Sequence, residues 1–309
     1  MPAHDILRLM MVPQARSLRH ALGGHEVKSL RVALGQVRPK LGDLQTNGDK
    51  LLQFIDRAVQ AEADVIVFPE LSLTGYLLRD LTFDVARTLA DREVQALVEA
   101  SAQIDVLFSF VEETENHQFY TSSVYASQGR ILHVHRKIYL PTYGLFEEGR
   151  HFARGQHIHS FACANHRAGI AICEDAWHPS VPYLLSIAGM DILYIPSAGP
   201  GRALSSEPNS GSQQFWERLL RTYAQLFTCF VVFVNRVGFE DGLFFFGHSA
   251  IAGPDGELIG MIDSHDEDLQ VYALDLSKIR KERHQSPFLR DEDAYLTLRT
   301  LERVLEEQS

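Results

Sequence analysis

Cysteine is scarce in this chain: 309 residues carry three, Cys163, Cys173 and Cys229. An odd, widely spaced set argues against a secreted disulfide framework and fits reduced thiols in the cytoplasm. No CxxC pair occurs, so a zinc site is not expected. Basic residues are outnumbered as well, 29 Lys and Arg against 40 Asp and Glu, for a net charge of −11. That balance excludes nucleic acid as the main partner, because phosphate binding needs a basic surface. No apolar run approaches the ~20 residues of a membrane helix. The opening residues hold no signal-peptide core, since Pro13 and Arg16 interrupt them. Neither a Walker-type loop nor a GxGxxG fingerprint is present, so no nucleotide cofactor is expected. His133 with His135, and His157 with His159, could mimic metal pairs but lack a third ligand, and structural roles are expected for them.

What is present is a large apolar fraction, 45%, enough to bury a sizeable core. After an arm over residues 1–28, "LRVALGQV" (30–37) reads as a buried strand. Leu51, Leu52, Ile55, Ala58 and Val59 then keep helical spacing, and "DVIVFPE" (64–70) reads as another strand. "FYTSSVYASQGRILHVHRKIYL" reads as a hairpin turning at Gln128-Gly129. "AGIAICED" (168–175), "DILYIPSAG" (191–199) and "CFVVFVNRVG" (229–238) read as strands, and 212–228 as a long helix. Another hairpin turns at Pro254-Asp255-Gly256, and a charged helical tail follows. Parallel βαβ units mixed with hairpins predict an α/β fold of mixed sheets packed with helices outside. No linker composition divides 29–309, which reads as a single domain with a C-terminal helical tail.

Three of these segments end on reactive residues. "VFPELSLTGY" carries Glu70, "HVHRKIYLPTYGLFEEGRHF" carries Lys137 and then Glu148, and "GIAICEDAW" carries Cys173. Binding residues gather at the carboxyl ends of parallel strands. A carboxylate, an ammonium and a thiol meeting there supply a proton carrier, a charge stabiliser and a nucleophile. Each alone has a duller reading, as an exposed acid, a solvated lysine or a buried apolar cysteine.

In these three motifs, and in "ALGQVRPKLGDLQTN" and "NRVGFEDGLFFFGHSAIAGPDGELIG", the chain resembles the nitrilase superfamily of carbon–nitrogen hydrolases. The resemblance runs from about residue 30 to residue 295. It implies a four-layer α-β-β-α sandwich, pairing into homodimers or larger homo-oligomers, and a Glu–Lys–Cys triad. By that resemblance Glu70 is the general base, Lys137 the cationic stabiliser, Cys173 the nucleophile and Glu148 a second acid that positions Lys137 and the substrate. The implied reaction is hydrolysis of a linear amide through a thioester, with no metal. The short helix expected over "VPYLLSIAGM", begun by His178, Pro179 and Ser180, is expected to aim its N-terminal N–H groups at the site and favour the thiolate, and strand alternation to turn Glu174 away from the sulfur. Asp175 is expected to hold loops.

"PELSLTGYLLRDL", "LPTYGLFEEGRHF" and "CEDAW" are similar to the glutaminase domain of glutamine-dependent NAD synthetase. On that likeness Tyr76, Tyr143, Phe146 and Glu174 line the substrate pocket. That branch carries a second serine where this chain has Gly199 in "IPSAGPGR", which weakens recognition of glutamine; Arg202 could offer a compensating charge. Glu174 stands where true nitrilases have tryptophan, which favours amides over nitriles. The expectation is a stand-alone cytoplasmic amidase. The alternatives are a glutaminase subunit feeding ammonia to a separate synthetase chain, and a nitrilase or N-acyltransferase using the same thioester.

Overall fold

The structure is a computed structural model that describes residues 29–201 and 211–308. The arm over 1–28 and Arg202 lie outside the described residues. Two six-stranded mixed sheets dominate. In the first, the order is Asp268–Asp275, Ser29–Gln36, Val65–Val67, Asp105–Glu113, Phe119–Ser127 and Arg130–Arg136. The second runs Leu258–Met261, Ala250–Ala252, Phe230–Asn235, Ile192–Ser197, Arg167–Ile170 and Phe161–Ala162. Each sheet has a heart of three parallel strands flanked by antiparallel neighbours.

Strand alternation explains why the sheets stack. Val32, Leu34, Val65, Val67 and Leu107 face one way and meet Ile170, Tyr194, Val232 and Val234 of the other sheet in one buried cluster. Ala33, Ile66 and Phe108, one position out of phase, face the opposite way, onto Leu51, Phe54 and Ile55 of the helix Leu44–Gln60. On the far side of the second sheet, Leu193, Ile195, Val231 and Phe233 pack beneath Leu185 of the helix Ser180–Ile187 and Trp216 and Leu220 of the helix Gly211–Leu226. The period of two thus supplies each sheet with two apolar faces. The result is the four-layer α-β-β-α sandwich. Each aliphatic side chain buried this way contributes about 1.5–3 kcal/mol.

The helix Leu44–Gln60 starts where Asp43 accepts the Thr46 N–H at 3.0 Å, a side-chain cap for an otherwise unpaired donor. Of its predicted apolar stripe, Leu51, Ile55 and Ala58 are buried, and Leu52 and Val59 pack at the margin. Two local expectations are corrected. The strand anticipated over 168–175 stops at Ile170, and Cys173–Trp177 is a 3-10 turn. Residues 229–238 divide, with Phe230–Asn235 in the large sheet and Val237–Glu240 pairing with Leu243–Phe246 in a small third sheet. Among the described residues no helix is long and apolar enough to cross a membrane.

Candidate active site

The carboxyl ends of two parallel strands and of the antiparallel edge strand Arg130–Arg136 lead into one site. Glu70 lies three residues beyond Val65–Val67, in a turn whose Leu73 N–H bonds Ser109 O at 3.0 Å. Lys137 directly follows the strand Arg130–Arg136. Its backbone is held on both sides, its N–H by Thr121 O and its carbonyl by the Gly155 N–H. Glu148 opens the short helix Glu148–His151. Cys173 opens the 3-10 turn beyond the strand Arg167–Ile170, one in from the edge of the second sheet.

Glu70, Lys137 and Glu148 form a buried charge triplet. The Lys137 ammonium donates to Glu70 Oε1 at 2.6 Å and to Glu148 Oε1 at 2.8 Å, and neither Glu70 nor Lys137 is exposed at all. Tyr76 OH donates to the same Glu148 oxygen at 2.5 Å. Burial alone would lower the Lys137 pKa, yet the charges of Glu148, Glu70 and Cys173 drive it well above the ordinary lysine value. Burial lifts Glu148 to about 7 against the pull of Lys137, and Glu70 adds to the rise. An ammonium between two carboxylates is the arrangement that tolerates desolvation.

The cysteine joins this triplet through residues that motif reading passed over. Ser197 Oγ donates to Cys173 Sγ at 3.2 Å, and the next residue, Ala198, donates its N–H to Glu70 Oε2 at 3.0 Å. The "IPSAG" stretch was informative only about Gly199, because a hydroxyl ending a buried strand looks like any core serine. Burial and the neighbouring Glu70 push the Cys173 thiol well above its usual pKa, outweighing Lys137 and the Ser197 hydrogen bond. The short helix expected to favour the thiolate is Ser180–Ile187, and at the sulfur desolvation and a facing carboxylate outweigh any such help. The strand argument for Glu174 is replaced as well. Cys173 adopts φ +46° at the start of the turn, so strand alternation does not govern residues 173 and 174, and Glu174 is engaged by Tyr143.

Asp175 fixes that kink. Its Oδ1 accepts the N–H groups of Ile138 and Tyr139, both at 2.9 Å, while Oδ2 accepts Ile172 N at 3.1 Å and pairs with His135 Nε2 at 2.9 Å. One buried carboxylate thus ties the segment after Lys137 to the segment around Cys173. His135 has a structural partner, and His133 stacks on Phe161. His157 and His159 stack on each other. Among the described residues no group of three His, Cys, Asp or Glu is placed to hold a metal ion.

The four residues expected to line the substrate pocket form a connected set. Tyr143 OH donates to both Glu174 oxygens, at 3.0 and 3.1 Å. The Phe146 ring meets Tyr143 and Tyr76 edge-on, with centroids 5.6 and 6.4 Å apart. Tyr143 is 54% exposed, whereas Tyr76 is buried. A second support, also missed, comes from Glu240, whose Oε1 accepts the N–H groups of Tyr76 and Leu77 at 2.9 and 2.7 Å. Opposite, the Gly199 N–H is held by Asn235 Oδ1 at 2.8 Å. A Cβ added at Gly199 would come within 3.1 Å of Trp216 Nε1 and 3.5 Å of Phe246.

The chain has relatives among known proteins. The chain is 32% identical over 259 residues to the glutamine-dependent NAD(+) synthetase of Thermotoga maritima, covering 82% of this chain and 43% of that one. It therefore spans less than half the length of the curated NAD synthetases it matches. The N-carbamoylputrescine amidase of Oryza sativa subsp. japonica is 30% identical over 214 residues, 65% of this chain and 69% of the relative. Among solved structures, the carbon-nitrogen hydrolase from Helicobacter pylori G27 superposes with a TM-score of 0.79 at 24% identity, over 87% of this chain and 98% of that one. The family model for carbon-nitrogen hydrolases matches residues 31–284, a span that takes in Glu70, Lys137, Glu148 and Cys173, and the chain belongs to that family.

Proposed function

We propose that the chain hydrolyses a linear amide through a thioester on Cys173. The observation that carries this reading is the buried Glu70–Lys137–Glu148 triplet, with Ser197 on the sulfur and Ala198 on Glu70. Glu70 takes the thiol proton as the sulfur attacks the amide carbonyl. The tetrahedral oxyanion is met by the Lys137 ammonium and the backbone N–H after Cys173. Collapse breaks the C–N bond, and Glu70 returns its proton to the departing amine. Water, deprotonated by Glu70, then attacks the thioester, releasing the acid and restoring the thiol. Because the resting cysteine is a thiol, proton transfer and attack belong to one step. Glu148 and Tyr76 keep Lys137 aimed, and Tyr143, Phe146 and Glu174 contact the substrate.

A glutaminase reading has specific support in the NAD synthetase relatives. Against it stands Gly199, which offers no hydroxyl and where a Cβ would ask Trp216 Nε1 to give by a few tenths of an ångström. A pocket lacking a hydroxyl rejects a ligand that needs one by orders of magnitude. The deciding experiment assays ammonia release from simple amides, carbamoyl amines, glutamine and nitriles, with Cys173→Ala as the blank. Amide turnover in the parent and none in the variant is the expected result; consumption of nitriles alone would overturn the reading. Product analysis with added amines separates hydrolysis from acyl transfer. We also propose a cytoplasmic homo-oligomer, supported by the exposed apolar residues Leu184 and Ile187 on one outer helix and Leu226 on its neighbour.

A further inference from the structure

Two neighbouring residues at the end of the strand Ile192–Ser197 address the two reacting groups of the site. Ser197 Oγ donates to Cys173 Sγ at 3.2 Å, and the Ala198 N–H donates to Glu70 Oε2 at 3.0 Å. The backbone around them is clamped. The Ser197 carbonyl accepts the Arg236 N–H at 3.2 Å. Asn235 grips Gly199 twice, its Oδ1 accepting the N–H at 2.8 Å and its Nδ2 donating to the carbonyl at 3.2 Å. A further bond from Nδ2 to Gly247 O at 3.1 Å fixes the amide itself. Neither Ser197 nor Asn235 is exposed. The hydroxyl thus reaches the sulfur from a fixed base, as a group acting on a reacting atom must.

The sulfur needs such a donor. Negative charge develops on it as the thiol proton leaves, where burial and Glu70 both oppose that charge. Lys137 favours the charge, but its ammonium already donates to Glu70 and Glu148. A serine hydroxyl has one proton to donate, and here it is directed at the sulfur. A hydrogen bond to an ionised acceptor is stronger than one to a neutral acceptor, so this bond tightens as the thiol ionises. The plainer reading is a core serine whose hydroxyl has found the nearest acceptor, and it predicts no effect on the sulfur's chemistry.

We propose that Ser197 is a further catalytic residue, whose hydroxyl holds the Cys173 sulfur in place and stabilises the negative charge it carries during attack and departure. The serine keeps its proton throughout. The thiol proton passes to Glu70 as the sulfur–carbon bond forms and returns when that bond breaks. The use made of this charge rests on the thioester reading, whereas the test needs no turnover. Alkylation of the full chain by iodoacetamide is followed between about pH 7 and 9, where the thiolate is the reacting form. The Cys173→Ala rate is subtracted to remove Cys163 and Cys229. In Ser197→Ala the thiol should become harder to ionise by about one pH unit, the scale of one hydrogen bond to a charged group. The thiolate population then falls about tenfold. A more basic thiolate is the better nucleophile, which offsets part of the loss, so alkylation should slow by about threefold at each pH. Ser197→Thr keeps the hydroxyl and should follow the parent. An alanine profile at or above the parent's overturns the proposal, as does a threonine profile that follows alanine's. A failed amidase assay leaves this result standing, so the two failures are told apart.

Discussion

Removing the Lys137 ammonium leaves Glu70 and Glu148 as two buried carboxylates with no cation between them. Lys137→Met is therefore expected to lower stability by about 3–5 kcal/mol, the scale for breaking one partner out of a buried ion pair. Amide turnover should fall by about a thousandfold through loss of oxyanion stabilisation. Urea unfolding and ammonia release measure the two losses separately. Cys173 makes a second residue-level prediction. Since burial and Glu70 hold its thiol well above the usual pKa, the thiolate ultraviolet signal that distinguishes parent from Cys173→Ala should be missing at neutral pH and rise only in strongly alkaline buffer. A neutral-pH thiolate step would contradict the concerted proton transfer. At Gly199, Gly199→Ser is expected to cost stability because Trp216 must shift, and a gain of glutamine turnover would revive the glutaminase reading.

At the scale of elements, Asp175 stitches two strand ends together. Asp175→Ala strands three backbone N–H groups, two of them buried, and His135, and should destabilise the protein by about 3 kcal/mol. Asp175→Asn keeps part of this acceptance and should cost less; chemical denaturation of the pair checks the order. The same residue explains where the sequence was legible and where it was not. The strands carrying Glu70 and Lys137 and the hairpin at Gln128-Gly129 announce themselves through apolar runs and turn chemistry, and the first large sheet follows from them, as the second follows from the runs at 191–199 and 229–238. Residues 171–173 continue the same apolar run, yet the chain leaves the sheet there. The Asp175 side chain takes the Ile172 N–H, and Asp175 N bonds back to Ile172 O. A side chain three residues on thus replaces the ladder, and the bonds that hold its carboxylate there, to Ile138 and Tyr139, come from 37 and 36 positions away and leave no local pattern. The small third sheet escaped for a similar reason, since Val237–Glu240 is too short to stand out from the apolar run before it. Ser197 and Glu240 were invisible as site residues because their partners lie 24 and 164 positions away in sequence.

For the molecule as a whole, acid should weaken the fold. His166 is 8% exposed, and burial holds its pKa at about 4. The unfolded chain takes up its proton near the ordinary value of about 6.5, while the folded chain does not until about 4, so stability falls as pH drops through that window. By about pH 5 the single group accounts for about 2 kcal/mol, and thermal melts of His166→Gln should show a shallower acid slope than the parent. Self-association is read by sedimentation velocity. Leu184→Asp with Ile187→Glu should convert an oligomer to monomer, and an unchanged mass would place any interface elsewhere.

The left-handed backbone at Cys173 sets the reactive sulfur on a hinge that glycine would occupy with less strain, a difference of about 1 kcal/mol or more for ordinary residues. With the sulfur gone in both, Cys173→Gly should melt no lower than Cys173→Ala, reversing the usual penalty of glycine for chain freedom. Mutational drift would then favour an inert, sturdier descendant over a working one, and only selection for turnover keeps that atom where it is.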